Sequence, residues 1–344
     1  MLDLSSGNSI LLIIYGIVVS SISFFIILYA TPKIIKFQTL KGSVVQDYHK
    51  PGRYNIPRPA GPVLLLGIAA AEILLYSLTL NMKVIAILLT TVFAFIIGFI
   101  DDRNVMPGWF KPIALIGAAL PLIALGAHGT HLNLIFGDAY IPLLYMPLIL
   151  VIIPIAGNTI NSIDVLNGVV SGFVIIAMIP LLASIAIFGS NEVFLAALPL
   201  LFGMVAFYKY HKFPSKIFPG DSGTLLMGGM YGAIAIAGSS EIIGVIALLP
   251  AVMNSFLFLA SVKKIIEHRQ VKARPTILMN DFRLMASKEK HAPTTLLRLI
   301  LANGPLSEKE IGYQIFKLAI FSSFLAFISI IIQYYFLTGA GIAK

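Results

Sequence analysis

Three short polar segments place aspartates directly beside long apolar runs, and the first holds an adjacent pair. Asp101 and Asp102 close one apolar run, and Lys111 lies ten residues after the first of them. Two neighbouring carboxylates near a lysine can hold a magnesium–phosphate assembly or deprotonate a nucleophile. A solvated turn at a helix end would also explain the pair. Both interpretations stay open on this segment alone.

The second segment repeats an oxygen-bearing side chain at every third position, at Asn158, Asn161, Asp164 and Asn167. Each step of three residues turns a helix by about 60° from its starting face, so neighbouring members share a face. The pattern suits a wall of oxygen ligands, and the segment holds no Lys or Arg, which leaves room for a cation. The alternative is a set of caps and polar turns between two apolar runs.

The third segment surrounds Asp221 with Gly220 and Gly223, just before a glycine-rich apolar run. Glycines beside an aspartate at a helix N-terminus let a phosphate approach the backbone, and the carboxylate can hold Mg²⁺. No Gly-Lys-Ser/Thr follows, so the segment is not a Walker loop. Asp221 could equally serve as an ordinary helix cap.

A basic segment and the absence of cysteine complete the chemical inventory. The basic residues are His268, Arg269, Lys272 and Arg274. They could clamp a pyrophosphate, or they could be ordinary charge on a cytoplasmic loop. The chain contains no cysteine. Disulfides, thiolate metal sites and cysteine nucleophiles are therefore excluded.

Membrane spans are the elements that must position these segments. Of 344 residues, 58% are hydrophobic and 11% charged, and the mean hydropathy is +0.94. This composition requires a bilayer as solvent. Apolar runs lie at 9–30, 61–81, 83–100, 111–127, 141–157, 171–188, 192–208, 223–239, 241–262 and 315–337. We predict an all-α integral membrane protein, a polytopic bundle of about ten transmembrane helices.

The distribution of Lys and Arg predicts the orientation of the bundle. All but two of the 24 basic residues fall in alternate connecting segments. Those segments are 31–60, 101–111, 209–216 and 263–317. Cytoplasmic loops carry such an excess, so these segments are predicted to be cytoplasmic and both termini external. The net charge of +9 therefore indicates membrane orientation, and no nucleic-acid partner is expected.

The connecting segments are short, except for a cytoplasmic insertion at about 263–314 before the last helix. Within it, Thr276 to Leu284 resembles a small hairpin around Asn280-Asp281. Thr294 to Ala302 is amphipathic, as expected of a helix at the membrane interface. Ser307 to Glu310 has the spacing of a capping box, which predicts the start of the last helix. We predict one membrane-embedded domain over residues 1–344.

The depth of the carboxylates separates an interfacial enzyme from its main rival, a transporter or flippase of a phosphorylated lipid or sugar. A carrier would place charges near the midplane of the membrane, where only Glu72 is expected. A non-catalytic scaffold gives no reason for separated carboxylate sites to fall on one side. His128 and His131 have a zinc-like spacing, but they fall on an external loop with no third ligand nearby, so incidental surface histidines are favoured.

Together these segments resemble the polyprenyl-phosphate N-acetylhexosamine-1-phosphate transferase superfamily, in the correct order over nearly the whole chain. Gly42, Asp47, Lys50 and Ile56-Pro57 add matching positions in the first cytoplasmic loop. The stretches 283–287 and 301–308 are similar to the dolichyl-phosphate GlcNAc-1-phosphate transferase branch, of eukaryotic and archaeal type. Asn167 replaces an aspartate of the bacterial relatives, and His268 to Arg274 replaces their histidine-rich motif. Arg58 stands where relatives often carry an acidic residue.

The resemblance implies transfer of GlcNAc-1-phosphate from UDP-GlcNAc to dolichyl or another polyprenyl phosphate, the first step of lipid-linked oligosaccharide synthesis for N-glycosylation. It implies catalytic roles for Asp101, Asp102, Lys111 and Asp164. Substrate-binding roles are implied for Asp47, Lys50, Asn158, Asn161, Gly220, His268, Arg269, Lys272 and Arg274. The implied metal is Mg²⁺, with Mn²⁺ as the alternative, on Asn167 and Asp221.

Further partners and the location are also implied by the resemblance. The expected partners are the two substrates and membrane lipids, and a homodimer is left open. The enzyme would lie in the cell membrane if archaeal and in the endoplasmic reticulum membrane if eukaryotic, with its active site on the cytoplasmic side.

Overall fold

A computed structural model describes residues 9–48, 54–264, 271 and 273–337 of the chain. The helices of this part are α1 (Ser9–Leu40), α2 (Gly61–Thr79), α3 (Met82–Arg103), α4 (Phe110–Ala124), α5 (Pro142–Ser162), α6 (Val169–Phe188), α7 (Asn191–His211), α8 (Gly220–Ala237), α9 (Glu241–Ala247), α10 (Leu249–Val262), α11 (Leu296–Ile300) and α12 (Glu308–Leu337). Three antiparallel pairs of short strands are β1 (Val44–Gln46) with β2 (Asn55–Pro57), β3 (His131–Leu134) with β4 (Gly137–Tyr140), and β5 (Thr276–Leu278) with β6 (Leu284–Ala286).

Seven of these helices are long and apolar enough to cross a membrane, namely α1, α2, α3, α5, α6, α7 and α12. Helices α9 and α10 meet at a bend of 73° and make an eighth span if they are counted as one. The chain is therefore an all-α integral membrane protein, as its hydropathy predicted.

The two other predicted spans correspond to α4 and α8, which differ from ordinary spans for separate reasons. Helix α4 has 15 residues, so it is about 22 Å long, which is less than the hydrocarbon thickness of about 30 Å. Helix α8 is buried along its whole length except at Asp221. Because protein rather than lipid surrounds α8, its side chains can be small.

Small residues let α8 pack closely against α3 and α5. A Cβ at Gly228 would lie 2.5 Å from the carbonyl oxygen of Ala156 on α5. A Cβ at Gly98 on α3 would collide with the backbone of Asp221. This close approach brings the end of α3 to the first turn of α8.

The β1–β2 hairpin, which the sequence did not predict, joins the end of α1 to the start of α8. Phe218 donates its backbone N–H to the carbonyl of Pro57 at 2.9 Å, and Ala60 donates to the carbonyl of Phe218 at 3.0 Å. The loops after α1, α3, α5 and α7 therefore meet at one end of the bundle. We call this end, which carries most of the Lys and Arg residues, the basic end.

The insertion before α12 has the predicted hairpin. Thr276 pairs with Ala286, and Leu278 pairs with Leu284. The predicted amphipathic segment forms α11 and a 3₁₀ turn at Leu301–Asn303 that follows it directly, close to the predicted bounds. Its first turn is tied to α10, since Asn254 accepts the N–H of Leu296 at 2.9 Å.

The start of α12 is fixed by a reciprocal cap. Ser307 donates its backbone N–H to Glu310 Oε2 at 2.8 Å, and Glu310 donates its N–H to Ser307 Oγ at 3.3 Å. This capping box satisfies two amides that have no partner inside the helix. It fixes Glu308 beside the loop that follows α5, where Glu308 accepts a hydrogen bond from Asn167.

Candidate active site

The site is built around the first turn of α8, which Asp102 caps from the end of α3. The Asp102 carboxylate accepts the backbone N–H groups of Asp221 and Ser222, both at 2.9 Å. A carboxylate at a helix N-terminus satisfies free amides and complements the positive end of the helix dipole. Asp102, rather than Asp221, is thus the cap of α8, and it fixes the position of Asp221.

Gly220 makes this approach possible for two independent reasons. Its φ angle is +71°, a conformation that favours glycine. A Cβ at this position would also lie 2.5 Å from Cβ of Pro59 and 2.8 Å from Oδ1 of Asp102. Gly220 therefore lets the carboxylate of Asp102 reach the helix.

Two cations bridge the aspartates of α3 and α8. Lys111 Nζ lies 2.9 Å from Asp221 Oδ1 and 2.9 Å from Asp101 Oδ2. Arg58 Nη2 lies 2.8 Å from Asp221 Oδ2 and 3.1 Å from Asp102 Oδ1. Each cation thus contacts Asp221 and one member of the adjacent pair.

These charges lie at a polar cavity of about 450 Å³ at the basic end. Its lining includes Asp47, Arg58, Asp101, Lys111, Asn161, Asp164, Asn167, Phe218, Gly220 and Asp221. Of the adjacent aspartates, Asp101 lines the cavity, whereas Asp102 is turned into the protein and is only 3% exposed. The two residues are both aspartates and are adjacent in sequence, but their side chains lie in different environments.

Asp164 contributes a carboxyl group that titrates near neutral pH. Only 20% of its side chain is exposed. Burial raises its pKa to about 7, and the nearby Arg58 guanidinium opposes this rise. A group with such a pKa can both accept and donate a proton at neutral pH. Asp164 therefore differs in protonation from an ordinary surface aspartate.

Asn161, in the last turn of α5, and Asn167, in the loop after it, have different partners. Asn161 Oδ1 accepts the hydroxyl of Thr224 at 2.7 Å, which ties α5 to α8. Asn167 donates its side-chain amide to Glu308 Oε1 at 2.6 Å and to Asp47 Oδ2 at 3.2 Å. Its Oδ1 accepts the backbone N–H of Ser215 at 2.6 Å.

An aspartate at position 167 would place a third carboxylate between Asp47 and Glu308. We therefore expect Asn167→Asp to lower the free energy of unfolding by about 1–3 kcal/mol, since a buried amide donor is replaced by a charge. Glu308→Gln keeps an acceptor oxygen and should be nearly neutral. The double variant should recover most of the loss, because the new amide can donate to the new carboxylate.

Thermal unfolding of the three variants in detergent measures this coupling as a double-mutant cycle. Strictly additive effects of the two substitutions would show that Asn167 and Glu308 are not energetically coupled.

A second cavity, of about 510 Å³, adjoins the first and is mostly apolar. It lies among α4, α5, α10 and the insertion. Lys111, Asn161, Ser162 and Val165 line both cavities. Two of its apolar lining residues, Phe256 and Leu259, are 62% and 45% exposed, so this cavity reaches the outer surface of the bundle.

Two predicted substrate-binding residues line this second cavity rather than the first. Arg274 is exposed there, and Asn158 donates its amide to the carbonyl of Pro154 at 2.8 Å. Four other predicted residues, namely Lys50, His268, Arg269 and Lys272, lie outside the described residues.

Arg58 is the main residue of the site that sequence reasoning did not assign. Its only signal was its position directly after Ile56-Pro57, in a loop that otherwise matched the resemblance. The ion pairs with Asp102 and Asp221 could not be expected from this signal, because they join positions 44 and 163 residues away in the chain.

The donor set bears on whether a metal could be held. Within the described ranges, no three His, Asp or Glu side chains converge as a metal-binding group. His131 instead pairs with Asp138 at 2.6 Å. Mg²⁺ commonly uses one or two carboxylates together with substrate phosphates. Asp101 and Asp221 on the cavity wall fit that mode.

Comparisons with known proteins identify relatives of this chain. The model of the family described as glycosyl transferase family 4 matches residues 84–239. A protein of Saccharolobus solfataricus, provisionally named a UDP-N-acetylglucosamine–dolichyl-phosphate N-acetylglucosaminephosphotransferase, is 30% identical over an alignment of 246 residues that covers 69% of this chain and 75% of that protein.

Two further relatives show how wide the similarity is. A provisionally assigned glycosyltransferase of Methanocaldococcus jannaschii is 27% identical over 278 residues, covering 80% of this chain and 84% of that protein. The phospho-N-acetylmuramoyl-pentapeptide-transferase of Staphylococcus aureus is 25% identical over 252 residues, covering 67% and 78%.

Proposed function

This chain belongs to glycosyl transferase family 4, and we propose that it transfers GlcNAc-1-phosphate from UDP-GlcNAc to dolichyl or another polyprenyl phosphate. One observation carries the proposal. A polar cavity lined by carboxylates and cations adjoins an apolar cavity that reaches the outer surface of the bundle. A soluble nucleotide sugar and a lipid phosphate need two such compartments side by side.

The apolar cavity is suited to the hydrocarbon chain of the acceptor. Its wall includes Phe256 and Leu259, whose exposed surfaces would face lipid. The phosphate of an acceptor bound there would lie near Lys111, which lines both cavities. Arg274, which lines the apolar cavity, would contact phosphate oxygens of lipid or donor.

The polar cavity is suited to the donor diphosphate. Lys111 and Arg58 would bind phosphate oxygens, whereas the first amides of α8 are already occupied by Asp102. We propose that Asp221 holds Mg²⁺ or Mn²⁺ with the help of Asp101, while Asn167 stays a predicted ligand. When bound, the cation would neutralise charge on the diphosphate.

The proposed reaction is a displacement at the phosphorus that bears the sugar. An oxygen of the acceptor phosphate bonds to that phosphorus, the bond to the bridging oxygen breaks, and UMP leaves with the electron pair. A phosphate monoester has a second pKa of about 6, so the acceptor needs little help to lose its proton. Asp101 and Asp164, on the cavity wall, are the groups that would orient it or take that proton.

Asp102, Asp47 and the asparagines have supporting roles in this proposal. Asp102 holds the first turn of α8, and Asn161 ties that turn to α5. Asp47, which lines the polar cavity, and Asn158, which lines the apolar cavity, would contact substrate. We also propose that the basic end faces the cytoplasm, where nucleotide sugars are available.

The test is incubation of purified protein with labelled UDP-sugars, Mg²⁺ and either dolichyl or undecaprenyl phosphate. We expect a labelled lipid diphosphate and an equal amount of UMP, with UDP-GlcNAc preferred over UDP-MurNAc-pentapeptide. Sealed vesicles of known orientation should react only when the donor is added on the side of the basic end.

A flippase would behave differently in the same assay, since it would move lipid between leaflets without releasing UMP. Absence of UMP with every donor, from protein that is folded and monodisperse, would reject the transferase.

A further inference from the structure

His211, the last residue of α7, is a buried side chain without a role in the proposal above. It is fully buried, at 0% exposed. Its ring stacks on Phe207 at a centroid distance of 5.2 Å, and Phe218 lies edge-on at 6.5 Å. One ring nitrogen, Nδ1, lies 2.8 Å from Ser171 Oγ. The other, Nε2, has no hydrogen-bond partner among the described residues.

The unpartnered nitrogen points at Asp164 of the candidate site. His211 Nε2 lies 3.8 Å from Asp164 Oδ1. This separation is longer than a hydrogen bond, but a small rotation of the carboxyl group would close it. A buried polar nitrogen without a partner is unusual enough to require an explanation.

Backbone packing sets this approach. Gly168 has a φ angle of +78°, and a Cβ there would lie 2.8 Å from Cα of Lys212. The loop that carries Asp164 is therefore pressed directly against the end of α7. This backbone contact brings the two residues together, and rotation of the Asp164 carboxyl group sets the remaining separation.

The hydrogen bond to Ser171 decides which nitrogen carries the proton. The hydroxyl is 2.8 Å from Nδ1 and 3.4 Å from the carbonyl of Gly168, so Nδ1 is its stronger partner. Well above pH 7, where Asp164 is ionised, a lone pair on Nε2 would face a negative oxygen, which is unfavourable. The favoured arrangement has the Ser171 hydroxyl donating to Nδ1 and the proton on Nε2.

We propose that His211 is a positioning residue for Asp164. Its Nε2–H donates to one oxygen of the Asp164 carboxyl group and thereby aims the other oxygen into the polar cavity. The expected effect of His211 on turnover rests on the proposed function. The contact itself does not depend on that function.

Two matched substitutions separate the contacts of the two ring nitrogens of His211. Glutamine places its amide nitrogen near the position of Nε2, so His211→Gln keeps the donor toward Asp164. Asparagine places its amide near Nδ1, so His211→Asn keeps only the contact with Ser171. Both replacements are neutral amides without an aromatic ring, so both variants lose the ring contacts with Phe207 and Phe218.

We expect His211→Gln to keep kcat within about threefold and His211→Asn to lose about 10- to 100-fold, as for removal of a hydrogen bond to a charged group. KM for both substrates should change by less than about threefold, because His211 does not line either cavity. Equal melting temperatures for the two variants would exclude a difference in folding. Equal kcat values for the two folded variants would overturn the proposal.

A second measurement is independent of any activity. In the protein labelled with ¹⁵N-histidine and held well above pH 7, where Asp164 is ionised, the resonance lost in His211→Asn should show a protonated Nε2 and an unprotonated Nδ1. The opposite tautomer would overturn the proposal even if the enzyme is active. The expected tautomer in a protein that makes no UMP would leave the His211 contact intact and reject the proposed function instead.

Discussion

Asp221→Asn is expected to reduce Mg²⁺-dependent transfer by about 100-fold or more, because a cation on the diphosphate is worth several kcal/mol and each 1.36 kcal/mol is tenfold in rate. The substitution keeps the shape of the side chain and removes its charge. Stability should change little, since Lys111 keeps its contact with Asp101 and Arg58 keeps its contact with Asp102. Neither cation is left buried without a partner.

Turnover as a function of Mg²⁺ concentration, together with thermal unfolding, checks this expectation. Asp221→Ala is the control for helix capping. Because Asp102 supplies the cap of α8, removal of the Asp221 side chain should not cost the roughly 1 kcal/mol of a lost cap. Near-wild-type turnover of folded Asp221→Asn protein would remove this residue from the metal site.

The adjacent aspartates are expected to give opposite signatures. Asp101→Asn should lower turnover by about 100-fold, because Asp101 lines the cavity and supplies charge to the reacting groups. Its loss of stability should be smaller than that of Asp102→Asn, because the remaining oxygen can accept the N–H of Met106 and Lys111 keeps its contact with Asp221. Asp102→Asn should instead lower the free energy of unfolding by about 1–3 kcal/mol. Its two oxygens accept the N–H groups of Asp221 and Ser222, and an amide can replace only one acceptor.

Paired measurement of kcat and unfolding on Asp101→Asn and Asp102→Asn decides between the two positions. Asp102→Asn will also lose activity, since Asp221 shifts with α8, but the loss should be accompanied by a lower melting temperature. If instead Asp101→Asn destabilises the protein and Asp102→Asn does not, the assignment of the cavity-facing member is reversed.

Arg58 shows why the structure is needed to interpret the first loop. From the sequence, a basic residue after Ile56-Pro57 appeared only as a departure from the relatives, which often carry an acidic residue there. In the fold its guanidinium joins Asp102 to Asp221. These pairs cross-link the segment before α2, the end of α3 and the start of α8. A contact of this kind depends on the relative placement of three helices, which no local pattern encodes.

Asn167 and Glu308 are a second case in which a local sequence pattern could not show the partner of a residue. The sequence assigned Asn167 to a periodic row of oxygen-bearing residues and Ser307 to Glu310 to a helix start. The structure shows the helix start as predicted and adds the bond between Asn167 and Glu308, which are 141 residues apart. The amide at position 167 is explained by its two carboxylate neighbours, one from the first loop and one from the last helix.

The sequence by itself determined that the chain spans a membrane and that its carboxylates gather at the ends of spans. Lipid strongly penalises polar groups, so hydropathy and the distribution of Lys and Arg are nearly independent of how the helices pack. Local rules also sufficed for the β5–β6 hairpin and for the capping box before α12, because both depend on residues a few positions apart.

Only the tertiary structure decided which of two adjacent aspartates faces the cavity, which cations pair with Asp221, and that His211 points at Asp164. These arrangements follow from the close packing of α8 between α3 and α5, at glycines whose missing Cβ atoms let backbones touch. The side-chain contacts of Arg58, for example, join segments that are 44 and 163 residues apart in the chain. The chemistry of each residue type was therefore available from the sequence, whereas the partner of each residue was not.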